Sequence, residues 1–391
     1  MLEEQEDPVK SERLLNYRLL LRQRPVMLGV FLALAVILFL ITTGLARVYG
    51  AQREALGTRW FSRGVAELNG KKYDAAVTDF RAALLYSRDN YTYQLNLAEA
   101  LIGAKRTGQA SAYLLNLRDR EPEDGLVNLE LARIASARGQ VQQAVRYYHD
   151  AVYAAWSTDE EWKRRDARLE LIELLLGTKA EAQAQAELIA LAANVGDDPA
   201  EQEQIGSLFL RAKDYEHALN AFRLALKSDR RNPAAMAGAG EAAFKLGRYP
   251  LAQHYLQMAL ASNPNDPQSA ERLKTTELVL HMDPFRRQIT RAERNAAVVQ
   301  AFSAAGQRLT SCSIPKSVSP APGGAQPNLS DQWAALKPRI TEQDLQQHPD
   351  MVEPAMDLVF QIERQASIVC GTPSGTDLAL LLIARMDEGN Q

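Results

Sequence analysis

The apolar positions of this chain recur in blocks of helical spacing. Ala76, Ala110, Ala144, Ala182, Ala218 and Ala252 stand 34, 34, 38, 36 and 34 residues apart. Each is followed at plus four by Phe80, Leu114, Tyr148, Ala186, Phe222 or Leu256, and at plus seven by Ala83, Leu117, Ala151, Ile189, Ala225 or Ala259. Offsets of four and seven lie on one face of an α-helix. Twelve positions before the marker alanine sits a small residue, Gly64, Ala98, Ala132, Gly206 or Gly240, where a preceding helix can cross closely. Each block is therefore a pair of helices. Asn69-Gly70, Gly108, Gly139, Gly177 and Gly247 mark the turn within a pair, and Pro122, Pro199, Pro233 and Pro264 separate successive pairs. The fourth block departs from the pattern, with Glu170 at the small position and a lengthening of four residues before it.

The fullest copies read Trp60, Gly64, Tyr73, Ala76, Phe80, Ala83, then Gly206, Tyr215, Ala218, Phe222, Ala225, then Gly240, Gly247, Tyr249, Ala252, Ala259, Pro264. Over roughly residues 55 to 266 this resembles the tetratricopeptide repeat family. The resemblance implies an all-α fold, a right-handed α-solenoid of about six repeats over residues 55–282. It also implies that the first helix of each repeat lines a concave groove for peptides or partner helices. Counted in the family's frame, the polar groove candidates are Asn96, Glu99, Arg133, Glu203, Arg211, Glu241 and Lys245. The co-chaperone branch clamps a terminal carboxylate with Lys and Asn. Here the corresponding places hold Phe61, Val65, Leu95 and Asn96, so that clamp is absent.

A different pattern precedes the repeats. Residues 26–46 carry no charge, and only Gly29, Thr42, Thr43 and Gly44 interrupt the apolar run. At about 1.5 Å per residue this segment crosses a hydrocarbon core about 30 Å thick. It reads as one transmembrane helix, the alternative being a cleaved signal peptide with Gly44 and Ala46 near the cleavage point. Residues 1–25 form a charged lead with Pro25 as a break. Lys10, Arg13, Arg18, Arg22 and Arg24 precede the span, and Arg47, Arg53, Arg59 and Arg63 follow it. The lead's excess of one cation, and its arginines nearest the boundary, place the N-terminus in the cytoplasm and the repeats outside, periplasmic in a Gram-negative cell. Gly29 and Ala33 make a small-xxx-small pair compatible with helix association.

Beyond the repeats, Asp283-Pro284 opens a helix over 283–310 that would cap the solenoid's open apolar face. Residues 311–328 hold four prolines and two glycines and read as a linker. Residues 329–391 read as a small helical C-terminal domain. Cys312 and Cys370, the two cysteines of the chain, would join as a disulfide in an oxidising compartment and stay thiols in a reducing one.

Composition narrows the function more than it defines it. A net charge of −3 offers no basic field for nucleic acid. His149, His217, His254, His281 and His348 fall one per element without metal-ligand spacing, and Gly371-Thr372-Pro373-Ser374-Gly375 lacks the lysine of a phosphate loop. Asp159-Glu160-Glu161 and Asp197-Asp198 stand at repeat boundaries as helix-start carboxylates. Tyr147, Tyr148, Tyr153, Trp156 and Trp162 cluster near copies three and four, as inter-repeat packing or as a ligand surface. The expectation is a non-catalytic, membrane-anchored scaffold without cofactor or metal, whose partners are proteins and which could form homo-oligomers. The alternatives are an accessory subunit of a membrane enzyme or secretion complex acting through residues 329–391, or a self-assembling structural protein.

Overall fold

The computed structural model describes the backbone of residues 8–312 and 328–390, with side chains for 27–312 and 328–386. Residues 313–327 of the linker read at 311–328, and the side chains of the charged lead, lie outside the described residues. Every regular element among the described residues is a helix: α1 (Pro8–Asn69), α2 (Tyr73–Tyr86), α3 (Tyr91–Gly103), α4 (Thr107–Arg120), α5 (Gly125–Ala137), α6 (Val141–Tyr153), α7 (Glu161–Gly177), α8 (Glu181–Ala192), α9 (Pro199–Arg211), α10 (Tyr215–Ser228), α11 (Pro233–Lys245), α12 (Tyr249–Ser262), α13 (Pro267–Met282), α14 (Arg291–Ser311), α15 (Leu329–Leu336), α16 (Glu342–Gln347), α17 (Val352–Val369) and α18 (Gly375–Asn390), with three short 3-10 turns.

In the hairpins α1/α2, α9/α10 and α11/α12, glycine sets the approach. A Cβ at Gly64 would stand 2.7 Å from the Phe80 ring, at Gly206 2.9 Å from Phe222, and at Gly240 2.7 Å from Leu256. The bulky residue of the second helix thus fills the space that the first helix leaves empty, and Phe80, Ala76 and Ala83 are fully buried. The first helix of a pair is started by an Asn or Asp whose side chain accepts a backbone N–H: Asn90 for α3, Asp124 for α5, Asp198 for α9, Asn232 for α11 and Asp266 for α13. Proline follows directly in α9, α11 and α13, where its missing N–H costs nothing.

The turn inside each pair passes through one residue in the left-handed region: Lys71, Lys105, Gly139, Lys179, Lys213 and Gly247. The sequence pattern marks two of these directly, Gly139 and Gly247, and points to the neighbouring Gly70, Gly108 and Gly177 at three others. Four of the six positions carry lysine, which tolerates the conformation at a cost of about 1–2 kcal/mol. These residues are 34, 34, 40, 34 and 34 apart, which corrects the reading of the fourth copy. Its buried marker is Ala184, with Leu188 and Leu191 behind it, whereas Ala182 is exposed. The small position is held by the fully buried Ile172, not by Glu170. With this frame the whole irregularity collapses into one insertion of six residues after α6. There Trp156 turns back on α5, its ring against Gly125 and its indole N–H donating to the Ala151 carbonyl at 2.8 Å.

The chain divides into two compact units, Met1–Glu170 and Leu171–Gln391. The boundary between them falls inside α7, in the irregular copy of the array read over 55–282. In the first unit α1 runs unbroken through Pro25 and through the apolar segment into the first repeat, so the expected break is absent. Sixty-two residues of helix span about 93 Å. The apolar window has a mean hydropathy of 2.6 and none of it is buried. Thr42 and Thr43 return their hydroxyls to carbonyls three and four residues back, leaving no free donor along the apolar stretch.

In the second unit α13 begins 34 residues after α11 and acts as a seventh first helix without a partner of its own. Its far side is covered by α18, while α14 packs mainly on α17. The cap expected at 283–310 is thus supplied by the last helix of the chain. Nor does α14 start at Asp283-Pro284: Asp283 closes a turn onto the Phe285 N–H, and the helix starts at Arg291 behind a reciprocal Thr290–Glu293 capping box. The helices after residue 328 build their core together with α14. Trp333 stacks on Phe302 at 5.6 Å and donates to its carbonyl, over Gly306. Cys312 and Cys370 form a disulfide, with Cα atoms 6.1 Å apart, joining the end of α14 to the end of α17.

Within this core Glu363 is 1% exposed, and neither carboxylate oxygen has a hydrogen-bond partner. Burial, with Asp377 adding to it and Arg308 opposing it, pushes its pKa up to about 8. The folded state disfavours the ionised form, so stability falls as pH rises from the ordinary glutamate range toward 8. Glu363→Gln is expected to stabilise the chain by about 2 kcal/mol at pH 8 and by close to nothing at pH 4, read from urea midpoints across that range. A gain that does not vary with pH would refute the charge argument. The left-handed lysines give a second expectation: Lys105→Gly should stabilise by about 0.5–1 kcal/mol, and Gly139→Ala should destabilise by about 1 kcal/mol.

Candidate partner-binding face

The first helices of the pairs expose one face that the second helices do not cover, and the polar candidates all fall on them. Asn96 on α3 spends its amide on the Thr92 carbonyl one turn back, at 2.9 Å. Glu99 lies one turn from Leu95 on the same helix. Its pKa is raised by burial first and by Glu130 second, with Lys163 acting the other way. Arg133 on α5 is held from two sides, by Glu130 at 2.7 Å and by Glu170 at 2.7 Å. Glu170 also accepts the Tyr148 hydroxyl at 2.9 Å, and burial together with this carboxylate raises the tyrosine's pKa. In the first unit, then, three glutamates share the face with one arginine and Lys163, and that lysine is already paired with Glu160.

The second unit repeats the arrangement with different residues. Arg211 on α9 makes two parallel 2.7 Å bonds to both oxygens of Glu173. Its hydrogen bonds hold the Glu173 carboxyl below its ordinary range. Glu203 accepts from the amide of Asn232, the residue that caps α11, at 2.7 Å. Glu241 on α11 takes Arg272 of α13 through two bonds, of 2.6 and 3.0 Å, with Lys245 at 3.7 Å. Arg272 also lies 4.5 Å over the Phe244 ring.

The structure thus puts the candidates on a common kind of face but gives most of them intramolecular partners. Glu130, Glu170, Glu173 and Arg272 are the counter-charges that sequence reading missed. Each sits 31 to 38 residues from its partner or one turn away on the same helix. The shifted frame in copy four hid Glu170 and Glu173, and the uncounted seventh first helix hid Arg272. Of the aromatic cluster, Tyr147 and Tyr148 are buried, whereas Tyr153 and Trp162 are 68% and 59% exposed.

Three hollows border this face. One of about 640 Å³ lies between α3 and the insertion, lined by Leu95, Leu126 and Trp156 and edged by Glu121, Glu123 and Glu160. The others belong to the second unit and are described below. Among the described residues no group of His, Cys, Asp or Glu could hold a metal ion.

Residues 209–275 match the family model of the tetratricopeptide repeat, which takes in the end of α9, α10 to α12 and the first half of α13. No curated protein matches the chain by sequence. Among solved structures, YrrB, described as a TPR protein with an unusual peptide-binding site, is 15% identical over 49% of this chain and 95% of its own, with a TM-score of 0.40. PilF of Pseudomonas aeruginosa is 14% identical over 56% and 97%, with a TM-score of 0.38. PilW, a type IV pilus biogenesis factor, is 15% identical over 55% and 96%, with a TM-score of 0.36.

The charge ladder makes a measurable claim. Arg133 and Glu170 are each more than one third exposed or close to it, so solvent screening leaves their pairing worth little. A double-mutant cycle between Arg133→Ala and Glu170→Ala should give a coupling of about 0.5–1 kcal/mol. Glu170→Ala alone should cost about 1–2 kcal/mol, because it also strands the Tyr148 hydroxyl.

Proposed function

We propose that this tetratricopeptide-repeat chain is a single-pass, membrane-anchored scaffold that gathers other proteins on the open face of its first helices and carries out no chemistry itself. The observation that carries the reading is the continuity of α1. An apolar segment with none of its surface buried passes without a break into the helix that packs on α2. In water such a segment would expose a run of large apolar side chains, Phe31, Leu32 and Phe39 each more than 60% exposed, far beyond what a soluble surface carries. A bilayer removes that cost.

The N-terminus lies in the cytoplasm and the repeats outside, in the periplasm of a Gram-negative cell. The charge asymmetry across residues 26–46 supports this orientation, as does the Cys312–Cys370 disulfide, a bond that persists in oxidising compartments. The open face bears carboxylates and arginines in register along the helices, together with an apolar hollow, and so fits peptide segments or helices better than small molecules. The organisation of an envelope complex is the role consistent with an anchor, a recruiting face and the absence of a catalytic constellation among the described residues.

Alkaline phosphatase fused after residue 60 should be active in a bacterial host, and an inactive fusion would overturn the orientation. Cross-linked detergent extracts should yield other proteins together with the chain. Recovery of the chain alone would replace recruitment with self-assembly.

A further inference from the structure

The last helix does more than end the chain. Along the open face of the second unit, the first helices α9, α11 and α13 present Leu210, Ala237, Glu241, Gln268 and Arg272 around a hollow of about 530 Å³. Leu378 of α18 reaches into its lining. One turn on, Leu382, Arg385 and Met386 border a second hollow, of about 550 Å³, against Phe244, Lys245 and Tyr249. Residues 378, 382, 385 and 386 follow the i, i+4, i+7, i+8 spacing of one helix face. A Cβ placed on Gly247 would lie 3.4 Å from Met386, and Arg385 is close enough to Tyr249 to oppose the rise of its pKa. The opposite side of α18, through Ala379, Leu380, Ile383 and Ala384, is buried against α13, α14 and α17.

α18 is therefore apolar on both sides, one buried in the core of the second unit and the other lying at the end of the face on which a partner would be received. Its fit there is loose. Leu378 and Leu382 are only half buried, and hollows remain on both sides of the contact. Its first turn is also poorly matched in charge. Asp377 and the buried Glu363 of α17 share one cation, Arg308 of α14, at 3.6 Å from Asp377.

We propose that α18 is a resident occupant of the partner face, and that the partner of α9, α11 and α13 is an amphipathic helix of the same chemistry, which takes its place. Such a helix carries large aliphatic residues at i, i+4 and i+8 to fill the two hollows and a cation at i+7 toward Tyr249. This rests on the scaffold reading and adds that the recruiting face of the second unit is closed until α18 leaves it. A partner pays for displacement, so the apparent affinity is the intrinsic affinity reduced by the fraction of chains in which α18 is released.

The test uses the full chain in detergent and a fluorescent peptide of residues 375–390. Leu382→Glu puts a charge into the second hollow and should release α18, seen as faster amide exchange across 375–390 with the rest of the second unit protected. The peptide should bind this variant at least about tenfold more tightly than the parent chain. A peptide with glutamate at both leucine positions should bind neither. Leu382→Ala, which deletes the contact without adding charge, should lie between the two and keeps the experiment decisive if the glutamate variant does not fold. Equal peptide affinity for parent and variants, or unchanged exchange in α18, would overturn the proposal. If partners are still recovered from membranes in that case, the scaffold reading stands without the resident helix. If the peptide discriminates as stated but no partner is ever recovered, the scaffold reading fails instead.

Discussion

The close crossing of two helices at a residue without a side chain is the contact on which the hairpins depend. Gly64, Gly206 and Gly240 lie so near Phe80, Phe222 and Leu256 that even a methyl group would overlap. An extra methyl at such a place costs about 1–3 kcal/mol in displaced neighbours. The buried aromatic or leucine it would displace contributes a similar amount by its burial. This one pairing fixes the distance between the helices of a hairpin, and with it the face that each first helix has left over. In copies two and three alanine serves, opposite Leu114 and Tyr148. Ile172 shows the limit of the rule. A bulky residue is fully buried there against the demand of the pattern, in the one copy whose approach is lengthened by six residues.

The leftover face is polar because it need not be buried, but its charges are not idle. Arg133 with Glu170, Arg211 with Glu173, and Arg272 with Glu241 each tie one first helix to the next. Each pair is partly exposed, so its energy is small and its geometry matters more. The pairs set the register of neighbouring helices without a large desolvation penalty, and they remain open to exchange with a partner's charges. Glu99 is the exception in this series. Its pKa is raised first by burial and then by Glu130 beside it, with Lys163 opposing.

Much of this was legible in the amino-acid pattern, and the misses have physical causes. The 34-residue step gave the hairpins because the marker alanine and its plus-four partner are enforced by packing. The step failed in copy four, where alanines are so frequent that Ala182 and Ala184 both satisfied the pattern and only burial separates them. Turns were sought at glycines, yet lysine holds four of the six left-handed positions, since the strain of one such residue is small beside the packing of a hairpin. Asp283-Pro284 has the chemistry of a helix start, but Thr290 with Glu293 offers two reciprocal bonds instead of one and wins the boundary. The counter-charges of the face were invisible for a different reason. A partner 37 residues away can be named only when the register of both helices is known.

The same logic bears on α1. A helix-long apolar segment and the first helix of a repeat obey different rules, since one needs apolar residues all round and the other a single buried face. They are joined here with no loop between them. Gly44 and Gly50 fall at the junction, where nothing lies within 4 Å of either, so no close approach demands them. Gly57, a little further on, is explained by Tyr86 and Tyr93 at 3.4–3.6 Å from where its Cβ would be. Each unpacked glycine costs a helix about 1 kcal/mol relative to alanine. The junction is therefore held by backbone hydrogen bonds alone, between an exposed apolar segment and a repeat fixed by α2.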